Sequence, residues 1–339
     1  MKTTTAVLLS ILSGVALLRG ETGYKLTGRY PLPGTGGWDY VSIDSAARRI
    51  YVSHATQVEV VDADSGKHLG TIPDTPGVHG IAIATGMNRG FTSNGGENKV
   101  SVFDTKTLQL IRKIEVGGEP DGIYYEPATK RIFTNNHGSH DITAIDAQTG
   151  KVVGTVAVGG DGEQAIVGAD GMIYVNLEDK AEVAVFDPKS LQVKKRFPIG
   201  VAMTPTGLAY DAKTNRLFIG ARKEPLMVVM NAADGKVIAQ FPIGAGVDYA
   251  AFDQKNHLVL FSCGTAGSIS AFLQKSADQY EDAGPIATQP SAKTMAFDTK
   301  TGKIFLPAAV VETIPPASAG GKPTRKIKDG SFTLLVVSR

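Results

Sequence analysis

A single cysteine, Cys263, means that no disulfide can form within this chain of 339 residues, so burial of side chains must hold the fold together. Charge bias is also missing. The 35 basic and 33 acidic residues leave a formal net charge of +2, too balanced for long-range attraction to a polyanion, and nucleic acid is therefore not an expected partner. No Cys-x-x-Cys-His attaches a haem covalently, no glycine-rich loop cradles a phosphate, and no Gly-x-Ser-x-Gly elbow presents a serine. These absences argue against covalent cytochromes, nucleotide hydrolases and serine hydrolases of the elbow type. No long amphipathic helical pattern stands out either.

Only one apolar run is noteworthy, and it lies at the start. Met1 and Lys2 precede an uncharged stretch from Thr3 to Leu18, followed by Arg19, the basic-then-apolar order of a secretory signal. Residues 1–20 are expected to be removed, with the cut near residues 16 to 23, sending the mature protein to the periplasm or the medium. The apolar part, Ala6 to Leu18, is shorter than the roughly 20 residues of a stable bilayer span, so no membrane span is expected after cleavage.

What the chain does contain is repetition. Tyr51-Val-Ser-His54, Phe91-Thr-Ser-Asn94, Phe133-Thr-Asn-Asn136, Tyr174-Val-Asn-Leu177, Phe218-Ile-Gly-Ala221, Leu260-Phe-Ser-Cys263 and Phe305-Leu-Pro-Ala308 return every 40 to 45 residues or so, the period of a four-stranded propeller blade. The 39 glycines and the short runs rich in Val, Ile, Thr and aromatics suit many short strands joined by tight turns. The third unit predicts strands at Gly122–Tyr125, Lys130–Asn135, Ile142–Asp146 and Val152–Val158, separated by turns such as Ala147-Gln-Thr-Gly150. At the ends, Arg29-Tyr-Pro-Leu32 copies the outer-strand phrases Arg196-Phe-Pro-Ile199 and Gln240-Phe-Pro-Ile243, while Ser331 to Val337 resembles a third strand. The two ends are thus predicted to complete one blade and close the ring, which leaves no long free edge.

These phrases resemble the YVTN-type repeat family, also called YncE-like, of bacterial β-propellers. The resemblance implies an all-β, seven-bladed propeller over residues 24–339, a single domain exported from the cytoplasm, and it implies no single reaction. A monomer is expected.

In such a ring the starts of the inner strands converge on one mouth. That column reads Asp39, His79, Asp121, Glu163, Thr206, Asp248 and Lys293, and the links from second to third strands bring His54, Asn94, Asn136, His137, His140, Glu178, Arg222, Lys223 and Cys263 towards the same face. Crowded carboxylates favour a cation, so Asp39, His79, Asp121, Glu163 and Asp248 are candidate ligands for a divalent metal. An oxygen-rich set would suit calcium, and histidine ligands would favour a transition metal. Equally, the acids can simply line a hydrated channel and pair with Lys293 or Arg222. A bound ligand is expected to meet Trp38, Asp39, His54, His79, Asp121, His137, Glu163, Arg222 and Asp248, with the Arg222 guanidinium suited to a carboxylate or phosphate and Trp38 to a pocket floor or to interblade packing. Cys263 reads as a structural thiol, since a nucleophile would need an adjacent base.

The proline-, glycine- and lysine-rich stretch 310–330 departs most from the repeat and is expected to be an extended loop over the mouth. The function that fits these features best is an exported binding or scaffold protein holding a small molecule, an ion or a protein partner at the mouth, without turnover. The alternative is a metal-assisted lactonase or lyase in which a cation polarises a carbonyl and His79 or His54 moves a proton.

Overall fold

The computed structural model describes residues 22–200, 202–314 and 324–339, and the expected signal segment lies outside the described residues. Seven four-stranded antiparallel sheets succeed one another along the chain, with no helical residue among those described. In the third blade the strands are Pro120–Glu126, Arg131–Asn136, Asp141–Asp146 and Val152–Val156, within two residues of the sequence expectation at every boundary. Asp146 ends its third strand by accepting backbone N–H bonds at the following turn (Thr149 N at 2.6 Å), and Asp62, Asp104 and Asp187 do the same in their blades. The Asp-x-x-x-Gly signal therefore acts as a local hydrogen-bonded turn, with Gly66 (φ +72°) supplying the left-handed residue; a Cβ there would strike the Tyr30 ring.

Ring closure is as the ends predict. The seventh sheet consists of Ala296–Phe297, Ile304–Ala308, Thr333–Ser338 and, outermost, Lys25–Pro31. Arg29 pairs with Leu335 and Tyr30 with Leu334, and Ala296–Phe297 touches the inner strands of both the sixth and the first blades. Proline at position 31 terminates this outer strand, where no further ladder bond is lost.

The recurring phrase explains the core. Its leading residues Tyr51, Phe91, Phe133, Phe218, Leu260 and Phe305 are completely buried, and Tyr174 nearly so, each wedged between neighbouring blades. Phe133, for example, meets Phe186 of the next blade edge-on at 5.5 Å. The closing blade shares one apolar cluster with the first, in which Phe305, Phe332, Leu334 and Val336 pack against Val41, Ile50 and Val52. Each of these residues contributes about 1.5–3 kcal/mol of burial, so closure is secured by the same force that stacks the other blades.

One region differs from expectation. Stretch 310–330 is not a plain loop: Val311–Ile314 pairs antiparallel with Thr324–Ile327 in a two-stranded hairpin, because β-branched residues on both arms support strand pairing that the surrounding Pro, Gly and Lys obscure. In the sixth blade, Ser268–Ser276 and Gln279–Ala287 form a hairpin of two nine-residue strands.

Candidate functional site at the propeller mouth

Local geometry aims the mouth residues. In blades two to six the pairing register slips at the start of the inner strand, between Val78 and Ile81, Pro120 and Ile123, Gly162 and Ala165, Pro205 and Gly207, and Val247 and Tyr249. Such bulges re-aim side chains. The residue caught in each is His79, Asp121, Glu163, Thr206 or Asp248. Gly80 and Gly122 follow two of them, where a Cβ would run into Ile123 at 2.7 Å and crowd the Glu163 carbonyl at 3.2 Å, so the close approach of adjacent inner strands favours glycine there.

A second device was not foreseen from the sequence. The third residue of the recurring phrase is a hook: Asn135 Nδ2 donates to the Glu163 carbonyl at 2.6 Å, Asn176 Nδ2 to that of Gly207 at 2.9 Å, Ser262 Oγ to that of Lys293 at 2.6 Å, and Ser93 Oγ to that of Asp121. Blades two, three, four and six thereby fix the mouth residue, or its near neighbour, of the next blade. The signal was Ser or Asn at the third position of the phrase in these units. Tyr40 was also missed: it crosses beneath the mouth and donates to Glu163 Oε2 at 3.2 Å.

The column residues form a nearly continuous charged ring. Lys293 Nζ lies 2.7 Å from Asp39 Oδ1 and 3.2 Å from Asp248 Oδ2, and Arg222 pairs with Asp248 and with Glu178 Oε1 at 3.3 Å. Asp39 Oδ2 meets His79 Nδ1 at 2.7 Å. From there contacts loosen: Asp121 Oδ1 is 3.7 Å from His79 Nδ1, and its Oδ2 is 3.6 Å from His137 Nε2, which sits 2.9 Å from the Gly162 carbonyl. Trp38 lies 5.4 Å from the Phe332 ring and borders the mouth cavity, so it serves both packing and lining.

Protonation follows the same division. Burial alone would raise the Asp39 carboxyl, but the His79 hydrogen bond and the Lys293 ammonium outweigh it and hold the group below its ordinary range. Asp121 is pushed up to about 6 by burial and by the charge of Asp39. Glu163 is raised well above a normal glutamate by burial, with Asp121 and Glu178 adding to the effect. His79 is raised by its bond to Asp39, and Lys293 is raised because Asp248 and Asp39 overcome the effect of burial.

One expected site residue does not reach the mouth. His54 is 1% exposed, stacked on Phe332 at 4.3 Å with Nδ1 directed to Glu59. The fourth position of the phrase points into the interblade core, which equally buries Asn94, Asn136 and Cys263. Burial raises the Cys263 thiol, as suits a structural residue. His140 stays at the surface beside Asp161, apart from His137.

The atoms that could hold a metal fall into two groups sharing Asp121, namely Asp39, His79 and Asp121, and Asp121, His137 and Glu163, each offering ligand atoms within 4.8 Å of one another. Asp248 belongs to neither, because Arg222 and Lys293 already occupy its oxygens.

Next to the ring opens a cavity of about 840 Å³, lined among others by Trp38, Arg222, Asp248, Lys293, Val311 and Arg325. The hairpin of residues 311–314 and 324–327 forms one wall of it, so this stretch does reach the mouth as expected. No described helix is long and apolar enough to cross a membrane.

Residues 15–214, more than half of the chain, match the family model described as cytochrome D1 heme domain. Among solved structures, Kuenenia stuttgartiensis hydrazine synthase matches with a TM-score of 0.71 at 16% identity, covering 81% of this chain and 93% of that one. At that identity the likeness concerns the fold. No curated protein sequence matches.

Proposed function

The chain belongs to the cytochrome D1 heme domain family, and from that premise we propose that it is an exported binding propeller whose mouth cavity receives a small amphipathic organic anion. One observation carries this reading: the cavity sets three cationic side chains, Arg222, Lys293 and Arg325, against the one carboxylate of Asp248, beside an apolar wall of Trp38, Val310 and Val311. A volume of about 840 Å³ lies within the roughly 300–1,000 Å³ of small-molecule sites. Arg222 and Arg325 offer planar forks for a carboxylate, and Lys293 a point charge.

The family name implies a haem, and the donor set tests that idea. Haem iron is held by histidine, cysteine, methionine or tyrosine, and none of these lines the cavity. The residues suit the carboxylates that such a group carries but not its iron, so the cavity does not fit an axially ligated haem and no chemical step is assigned to one. The test is calorimetric titration of the purified protein with aromatic mono- and dicarboxylic acids, and separately with hemin. Carboxylates are expected to bind, and to lose about tenfold or more in affinity in Arg325→Ala. A hemin complex with a low-spin spectrum that is lost in His79→Ala would overturn this choice of ligand.

A second reading, hydrolysis of a lactone or similar ester, draws on the Asp39–His79 pair, whose 2.7 Å bond orients an imidazole that is 40% exposed at the mouth. Ester hydrolysis abolished by His79→Asn would favour it, and absence of turnover in the metal-loaded protein would remove it.

A further inference from the structure

We infer that Asp121 anchors a transition-metal site at the bottom of the mouth, with His137 and Glu163 as companion ligands. The inference does not rest on the cavity reading, because none of these three residues lines that cavity.

The first observation is an orphan. Asp121 Oδ1 is sealed from solvent and has no hydrogen-bond partner, and no described residue donates a hydrogen bond to Oδ2. An enclosed carboxylate without donors is costly, and proteins resolve that cost by protonation, by a paired cation or by a metal. No lysine or arginine forms an ion pair with Asp121 among the described residues, since Arg222 and Lys293 are engaged with Asp248, Glu178 and Asp39.

The second observation is spacing. His137 Nε2 stands 3.6 Å from Asp121 Oδ2, too far for a hydrogen bond. Two ligands about 2.0–2.1 Å from one tetrahedral ion lie roughly 3.4 Å apart, so this distance suits atoms that share a cation. Glu163, 7% exposed, contributes an oxygen within 4.8 Å of those of Asp121 and His137, and accepts one bond from the Tyr40 hydroxyl. That hydroxyl fills the role of an outer partner that orients a ligand.

The chemistry of the donors selects the ion. Imidazole and carboxylate together suit zinc, copper, nickel or cobalt, whereas calcium would want six to eight oxygens. Exposure of the His137 side chain, at 23%, leaves a route from solvent. On uptake His137 Nε2 leaves the Gly162 carbonyl, and any proton on that nitrogen is released, so affinity rises with pH.

The experiment uses the full-length protein stripped by a chelator and titrated with zinc ions alone, with cobalt(II) absorption as a second probe. One ion per chain is expected, with an intense visible cobalt spectrum of low coordination number. Asp121→Asn and His137→Gln are each expected to weaken zinc binding at least about tenfold, whereas His140→Ala, on the same link but outside the cluster, keeps full affinity. Circular dichroism of each metal-free variant checks folding; should Asp121→Asn not fold, the loss of the cobalt band in His137→Gln reads the same site. Failure of the folded wild type to bind zinc or cobalt, or unchanged affinity in His137→Gln, overturns the inference. Carboxylate binding by the zinc-free protein remains as a separate measurement, so the two proposals fail separately.

Discussion

The two halves of the mouth ring are built from equivalent positions of the repeat, yet they behave in opposite ways. On the side of blades five to seven and one, Arg222 and Lys293 bind Asp248 and Asp39, and Asp39 stays ionised below its ordinary range. On the side of blades three and four, Asp121 meets imidazoles and Glu163 meets the Tyr40 hydroxyl, neither has a lysine or arginine ion pair among the described residues, and both are raised. Sheet geometry is the same in both halves, since the same bulge presents Asp121, Glu163 and Asp248. The difference lies in cations delivered from other blades. A repeat places a carboxylate, and its neighbours across the ring decide whether it is a salt-bridge partner or a vacancy for a proton or metal.

The largest way to break this contrast is to remove Lys293, which serves two carboxylates at once. Lys293→Met should leave Asp39 and Asp248 short of positive charge and lower stability by about 2–3 kcal/mol, less than the 3–5 of a fully buried pair because the ammonium is 39% exposed. Urea unfolding at neutral pH measures it. A loss below about 0.5 kcal/mol would mean that water already compensates this half of the ring, and the contrast would be one of labels only.

How much of this was legible beforehand follows from what repeats encode. Blade period, ring closure by Arg29–Pro31 against Thr333–Leu335, and the column from Asp39 to Lys293 were readable because each depends on local pattern or on copies of it. His54 was misplaced because it was grouped with the link that follows it, whereas the fourth position of the phrase is buried in all seven units, and one residue along a strand swaps the face. The hairpin at 311–327 was hidden by its proline- and glycine-rich surroundings. Which acid meets which cation was not legible at all, since Lys293 and Asp39 are 254 residues apart and only closure brings them to 2.7 Å. The orphaned state of Asp121 is likewise a property of the assembled ring.

A third buried carboxylate sharpens the comparison from outside the mouth. Glu59, wholly buried in the first blade, is surrounded by donors: Thr71 at 3.0 Å, His68 at 2.7 Å, Gln57, and the more distant His54. Burial favours its protonation, but these bonds prevail and hold it at about 2 against an ordinary 4.5. Because the folded value is the lower one, its stabilisation is complete above about 4.5 and is lost as pH falls towards 2. Glu59→Gln should therefore be less stable than wild type at pH 7, by on the order of 2 kcal/mol, with the gap closing in acid. A gap independent of pH would assign the effect to packing instead of charge. Neither Glu59 nor Asp121 has a lysine or arginine ion pair among the described residues; the donors around Glu59 and the charge of Asp39 beside Asp121 send the two in opposite directions.

The smallest effect is the most discriminating, because its sign is unusual. If blades three and four hold carboxylates that lack cationic partners, removing one charge should relieve the metal-free protein: Glu163→Gln keeps the shape and the Tyr40 contact and deletes repulsion with Asp121. Thermal unfolding after chelation should show a gain of up to about 1 kcal/mol, the reverse of Lys293→Met. Adding zinc should then invert the order, since the ion stabilises only the chain that retains its full ligand set and does so in proportion to its occupancy. Loss of stability in Glu163→Gln without metal would mean that the ionised glutamate already has compensation, and the two halves of the ring would be electrostatically alike. A gain that survives added zinc would leave the donor-poor half real and remove Glu163 from the ligand set.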